Sequence, residues 1–354
     1  MTVPDSPLTA NLQDPGTCLH FLETIKHTRL EGLIVEIEFD QVFLPGMLAA
    51  GWRRIDALVL RRVLVSGGEE YLVLPRSEEG IEALVKMLRK TGKPVRRLSI
   101  ESGVLVYCHD REGKPCAAVP VSASTTSREI AQTRTALSAI DRQRVLAMYW
   151  GFGYHLRYWF AQFVKETIIK DYFISAEAKY LWDLDRFIVD PDGHLYFVET
   201  KHKFPTPKKT FGMNRGEVAQ AKALQKLGFR IWHAILVKPV WETDYSSMYL
   251  FFDRRAREHA VWIAGDMGAP GFFAGGTPSQ ANAATSLYGQ QPVKYINLPL
   301  SGFRIIGRNA EPAGMLAEKL AGCLRGEKTL PVLDADYLER CRIGGVARGT
   351  RGVS

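Results

Sequence analysis

Apolar runs bounded by turn residues dominate the first third of the chain. LIVEIEF (33–39), IDALVLRRVLV (55–65), YLVLP (71–75) and GVLVYCH (103–109) carry β-branched and aromatic residues and predict strands. Gly67-Gly68 and Glu112-Gly113 stand where hairpin turns would close. A helix over about 78–91 interrupts them, with Ile81, Leu84, Val85 and Leu88 on one face. The polar, proline-containing stretch 1–16 reads as a flexible lead-in, and 17–121 as a strand-rich α+β N-terminal domain.

The pattern then changes. VSASTTS (121–127) is small and polar and reads as a linker, with Ser127 able to cap a helix over about 128–149 that carries Arg128, Arg134, Arg142 and Arg144. A second, aromatic-rich amphipathic helix is expected over about 154–170. It leads into a compact unit: a strand LDRFIVDP (184–191), a DPDG turn (190–193) and a strand HLYFVETKH (194–202). A basic loop (204–214), a helix (215–227) stopped by Gly228, and a strand RIWHAILVKP (230–239) follow. MYLFF (248–252) and AVWIAG (260–265) predict further strands, 274–291 a long polar loop, and 311–325 a helix before a basic tail. The expected fold class is α/β, α+β overall, with a central mixed sheet. Residues 122–300 form the main domain around a core at 150–240, and 301–354 form a helical extension.

Composition narrows the class. At 354 residues, with 46% hydrophobic and 24% charged positions, the chain can bury a large core and exceeds one typical domain. Its net charge of +8 suits a polyanionic partner. Five cysteines, none in C-x-x-C spacing, argue against a zinc ribbon or a disulfide framework. With no signal-like N-terminus and no run of eighteen apolar residues, a soluble cytoplasmic protein without membrane spans is expected.

The candidate chemistry sits on the two strands at 184–202. Side chains alternate faces along a strand. Leu195, Phe197, Glu199 and Lys201 therefore share one face of the second strand, and Asp185, Phe187 and Val189 one face of the first. Two carboxylates and a lysine can thus converge beside apolar neighbours. Carboxylate oxygens suit a hard cation such as Mg²⁺. Such an ion polarises phosphoryl oxygens and acidifies bound water, while a lysine orients that water or offsets developing charge. The Thr200 carbonyl is a further candidate ligand. Residues 181–199 hold five acids against one base, and 200–230 hold eight bases against one acid, Glu217. An acidic pocket beside a basic wall suits a phosphodiester substrate.

The helix, the strand opening Leu184-Asp185-Arg186-Phe187, the hairpin and the apolar strand ending Glu199-Thr200-Lys201 together resemble the PD-(D/E)XK nuclease superfamily. The following helix and strand match its αβββαβ, restriction-endonuclease-like core order. The resemblance spans about 150–240. It implies a metal-dependent endonuclease acting on DNA, with Mg²⁺ or Mn²⁺ held by Asp185 and Glu199, and Lys201 as the catalytic lysine. RNA is the second substrate choice, and a homodimer or a protein partner would decide between nicking and double-strand cleavage. The superfamily often adds an acid from the first helix, where Glu166 is the first choice and Glu177 the second. Leu184 replaces the usual proline. Gln220 fits the position of a frequent helix glutamine, but Leu224 stands where its tyrosine partner is common. Lys203, Lys208, Lys209, Arg215, Gln220 and Lys222 are the candidate nucleic-acid contacts. Some superfamily members bind without cutting, so a DNA-binding scaffold is the alternative.

Other signals carry less. Gly151-Phe152-Gly153 lacks a leading strand and a third glycine. GCLRGEKT (322–329) has glutamate where a phosphate loop needs lysine. Asp334 and Asp336 read as a solvated turn, His202 as a neighbour of the site, and His194 and His233 as structural histidines. Core packing is the stronger reading of the aromatic cluster at Tyr149, Trp150, Phe152, Tyr154, Tyr158, Trp159 and Phe160, with base stacking the other.

Overall fold

The computed structural model describes residues 27–101, 104–109, 118–120, 154–173, 178–242, 249–274, 276–281 and 293–343, with isolated positions 16 and 143. Along the chain run α1 (His27–Val42), α2 (Leu44–Ala49), β1 (Arg53–Ile55), β2 (Ala57–Leu64), β3 (Glu69–Pro75), α3 (Ile81–Arg89), β4 (Val95–Glu101), β5 (Val104–His109) and β6 (Ala118–Pro120). Then come α4 (Tyr154–Phe173), β7 (Ala178–Leu184), β8 (Arg186–Val189), β9 (Leu195–Lys203), β10 (Thr210–Asn214), α5 (Arg215–Lys226) and β11 (Arg230–Val237). The described chain closes with α6 (Tyr249–Phe252), α7 (Arg254–His259), β12 (Val261–Asp266), β13 (Thr277–Ala281), β14 (Val293–Pro299), β15 (Arg304–Arg308), α8 (Ala313–Arg325) and α9 (Ala335–Cys341). This is a mixed α+β chain.

It divides into two compact units, each assembled from separate stretches. The first comprises 1–30, 54–187 and 285–290, and the second 31–53, 188–284 and 291–354. The linker at 121–127, the helix expected over 128–149, the turn at Glu112-Gly113, the side chains of the aromatic cluster and the basic tail beyond 343 lie outside the described residues.

In the first unit a six-stranded sheet has the order β6-β5-β4-β3-β2-β7. The β2–β3 hairpin closes at Gly67-Gly68, with Leu64 N–H donating to Gly68 O at 2.8 Å. The α3 helix buries Ile81, Leu84, Val85 and Leu88, as its periodicity requires. Ile169 of α4 joins Leu58, Leu60, Leu72, Leu74, Leu98 and Leu105 in one apolar cluster.

In the second unit, β9, β11, β12 and β15 belong to a mixed sheet of order β1-β8-β9-β11-β12-β15. Its centre is the parallel pair β9–β11, and β12 and β15 extend it antiparallel. One face is covered by α1, α2 and α8. Phe39 and Phe43 pack edge-on against Trp262, 5.8 and 5.1 Å between ring centroids. A Cβ on Gly46 of α2 would come within 2.6 Å of Ala317 of α8, so only glycine permits that approach. The other face is covered by α5 and by the small antiparallel sheet β10-β14-β13.

Several elements differ from the sequence expectation. LIVEIEF (33–39) lies inside helix α1, not in a strand. Leu33, Ile34, Val35, Ile37 and Phe39 are all buried there, and a short run that is apolar nearly all round carries no period to separate a buried helix from a strand. YLFF (249–252) is a helical turn. The expected loops at 204–214 and 274–291 contain β10 and β13, short strands that each pair with β14. Of the strand expected at 184–191, Arg186–Val189 form β8, while Leu184 ends β7 of the other six-stranded sheet and Asp185 lies between them.

Glu38 is a buried charge that ties α1 into the second unit. Its Oε1 accepts from Arg257 at 3.2 and 3.1 Å and from Asn309 Nδ2 at 2.6 Å. Glu38→Ala leaves Asn309 without this acceptor and should lower unfolding free energy by about 2 kcal/mol in a urea titration. A change under about 0.5 kcal/mol would show that α1 is held by its apolar face alone.

Candidate active site

The β9–β11 register decides which side chains meet. Glu199 pairs with His233, Lys201 with Ile235 and Lys203 with Val237. Parallel partners point to the same side of a sheet. Glu199, Lys201, Lys203 and His233 therefore occupy one face, over which α5 and β10 lie.

Glu199 is buried, with its side chain 6% exposed, while Lys201 is 27% exposed. The Lys201 ammonium donates to Glu199 Oε1 and lies 3.5 Å from Glu217 Oε1. Thr200, the residue between the strand's two charges, is buried on the opposite face. Glu217 arrives from the first turn of α5. Asn214 caps that helix, accepting from Gly216 N–H at 2.7 Å, and Glu217 Oε2 accepts from Asn214 N–H at 3.2 Å in a capping box. Sequence reading counted Glu217 only as the single acid in a basic stretch. The signal that could have found it is Asn-x-x-Glu opening the helix after the Glu199–Lys201 strand.

Lys203 was expected to face nucleic acid, but its ammonium donates to the Gly212 carbonyl of β10. Burial pushes its pKa down to about 8 against the pull of the Glu217 and Glu199 carboxylates, and the Lys201 charge adds to the fall. His233 is fully buried. Its Nδ1–H donates to the Glu199 carbonyl at 3.3 Å, and Nε2 has no hydrogen-bond partner among the described residues. Burial, then the Lys203 and Lys201 charges, hold its pKa well below the usual histidine value, so the ring is neutral. His202 sits on the other face with Nε2 2.8 Å from the Tyr249 hydroxyl. Burial and the nearby Lys238 charge keep it neutral too.

The remaining sequence candidates fall in different places. Asp185 occupies the single residue between β7 and β8 and is half-buried in the first unit. Glu166, also in the first unit, accepts from Arg76 and, at 2.8 Å, from Gln162, while Arg76 also holds Asp56 at 2.7 Å. Glu177 lies outside the described residues. Gln220 is buried in α5. Lys208, Arg215 and Lys222 are exposed, with Lys222 5.2 Å above the Phe273 ring. Lys209, in the left-handed region at φ 54, sits 4.1 Å above Trp241 and pairs with Glu339.

A second carboxylate group lies in the turn before β9. Asp190, Asp192 and His194 bring one potential ligand atom each within 4.8 Å of one another. Asp190 is already engaged as the anchor of the hairpin. Its Oδ1 accepts from His194 N–H at 2.8 Å, and its Oδ2 accepts from His194 Nδ1 at 2.9 Å and the Tyr196 hydroxyl at 3.1 Å. Tyr196 in turn accepts from Arg230 at 2.6 Å. Asp334, read as a turn residue, caps α9 by accepting from Tyr337 N–H at 2.7 Å.

Comparison with family models, with curated proteins and with solved structures returned no match. No helix among the described residues is long and apolar enough to cross a membrane.

Burial alone would raise the pKa of Asp190, but the hydrogen bonds from the His194 backbone and ring and from Tyr196 hold it below the usual value. Its folded-state pKa is therefore depressed, and the stability it contributes is present above the unfolded-state value and lost as pH falls through the folded one. Asp190→Asn should cost about 2 kcal/mol in urea unfolding at neutral pH, with the difference from wild type narrowing as pH falls below the usual aspartate range. A difference that stays constant with pH would show that the carboxylate charge contributes nothing to the turn.

Proposed function

We propose that the chain is a metal-dependent endonuclease acting on DNA phosphodiester bonds, with Asp185, Glu199 and Lys201 as its catalytic set. The observation that carries this reading is the buried Glu199 carboxylate beside Lys201 at successive same-face positions of a central strand, with the lysine held between Glu199 and Glu217. The order β8, β9, α5, β11 within one sheet accords with the later part of a restriction-endonuclease-like αβββαβ order, with β10 inserted after β9, while β7 lies in the other six-stranded sheet. Asp185 enters through the hairpin pattern of the sequence.

The donor chemistry fits a hard cation. Glu199 offers carboxylate oxygen on a partly dry face, with no thiolate in the set, which suits Mg²⁺ or Mn²⁺ over zinc. Asp185 and Glu199 would hold the ion, with the Thr200 carbonyl a further donor. When bound, it supplies polarisation of the phosphoryl group and a more acidic water. The chain's own contribution is positional. Lys201 orients the attacking water and offsets negative charge building on the phosphate. Phe197 shares this face and limits its hydration. The exposed Lys208, Arg215 and Lys222 meet the phosphate backbone.

Supercoiled plasmid incubated with Mg²⁺ or Mn²⁺ should be nicked or linearised by the wild-type chain. Lys201→Ala, Glu199→Gln and Asp185→Asn should each lose about 10²–10³-fold or more in rate while remaining folded. Cleavage that survives in these variants would reject the roles. DNA binding by every form without cleavage by any would replace the nuclease with a non-cutting scaffold.

A further inference from the structure

The Glu217 carboxylate reaches the Lys201 ammonium from outside β9. Three observations bear on what it does there. The chain leading into it is fixed: Asn214 caps α5, and Lys203 ties β10, which leads into that cap, back to β9 through Gly212 O. Its two oxygens are divided, Oε2 accepting from Asn214 N–H and Oε1 facing Lys201. Its charge also opposes the fall in the Lys203 pKa, so it is the common counter-charge of both buried-face lysines.

We infer that Glu217 is a positioning residue: with Glu199 it clamps the Lys201 ammonium from two sides and fixes where that ammonium stands over the face. A lysine has a flexible four-carbon stem and a point charge, so one partner leaves its head free to swing, whereas two partners on different elements hold it. For cleavage the consequence rests on the nuclease reading above, but the clamp itself does not.

Glutamine at this position separates the clamp from the cap, because a glutamine at the third helical residue can still accept from the Asn214 amide while carrying no charge. Urea unfolding of wild type, Lys201→Met, Glu217→Gln and the double variant forms a cycle that reads the Lys201–Glu217 interaction without any cleavage. The inference expects the unfolding constants to depart from additivity by about fivefold. In plasmid nicking, Glu217→Gln should lower kcat about tenfold or more with KM for DNA nearly unchanged, since a misplaced lysine affects the reacting phosphate and not the binding surface. Additive unfolding constants would overturn the inference, as would a Glu217→Gln enzyme that keeps wild-type kcat. If the wild-type chain does not cut DNA, the function proposed above fails, and the unfolding cycle alone decides whether Glu217 holds Lys201.

Discussion

The parallel pairing of β9 with β11 is the constraint on which the rest of the second unit depends. Both strands are interior to the sheet, and Ile231 to Val237 are buried without interruption, as strands covered on both faces require. A parallel pair cannot be closed by a tight turn, so the chain must cross over between them. It does so through β10 and α5, and Gly228 at φ 93 turns it back into β11. That crossover is why a helix start lies over the face that carries Glu199, Lys201 and His233. A one-residue slip of β11 against β9 would send His233 to the face opposite Glu199 and Lys201.

The face so formed is electrostatically costly. Two lysines, two glutamates and a neutral histidine share a region walled by Phe211, Phe303 and Phe272, with Phe303 centred 6.1 Å from the His233 ring. Charges removed from water need partners, and here each has at least one: Lys201 has two carboxylates, and Lys203 a backbone carbonyl with Glu217 nearby. An apolar replacement would hold the same strands together at lower cost. A polar cluster kept on a central strand against that cost is the arrangement expected of a site and not of a core, since function is a common reason for tolerating locally unfavourable chemistry.

What was legible in the sequence follows from where local signals are strong. The DPDG turn, the Glu199–Lys201 strand, the Asn214-capped helix and the β11 strand each combine a period with a terminating residue, and each formed near its expected bounds. Helix α1 was not legible, because its apolar residues surround the axis and its buried Glu38 finds Arg257 and Asn309 more than two hundred residues away. The partner of Glu166 was hidden for the same reason, since Arg76 lies 90 residues before it. Lys203 looked like any exposed cation of a basic loop until β10 placed the Gly212 carbonyl under it. Glu217 was hidden in plain spacing: its cap role is local, but its reach to Lys201 depends on the crossover.

The proposed function requires Glu199, with Asp185, to hold a divalent cation next to Lys201. Calorimetric titration of Mn²⁺ into the wild-type chain, Glu199→Gln, Asp185→Asn and Asp192→Asn tests it without reference to any substrate. The account expects saturable binding by the wild type, at least about tenfold weaker binding by Glu199→Gln and Asp185→Asn, and little change in Asp192→Asn. Binding that is untouched by Glu199→Gln, or abolished by Asp192→Asn, would contradict it and move the metal to the turn at Asp190–His194.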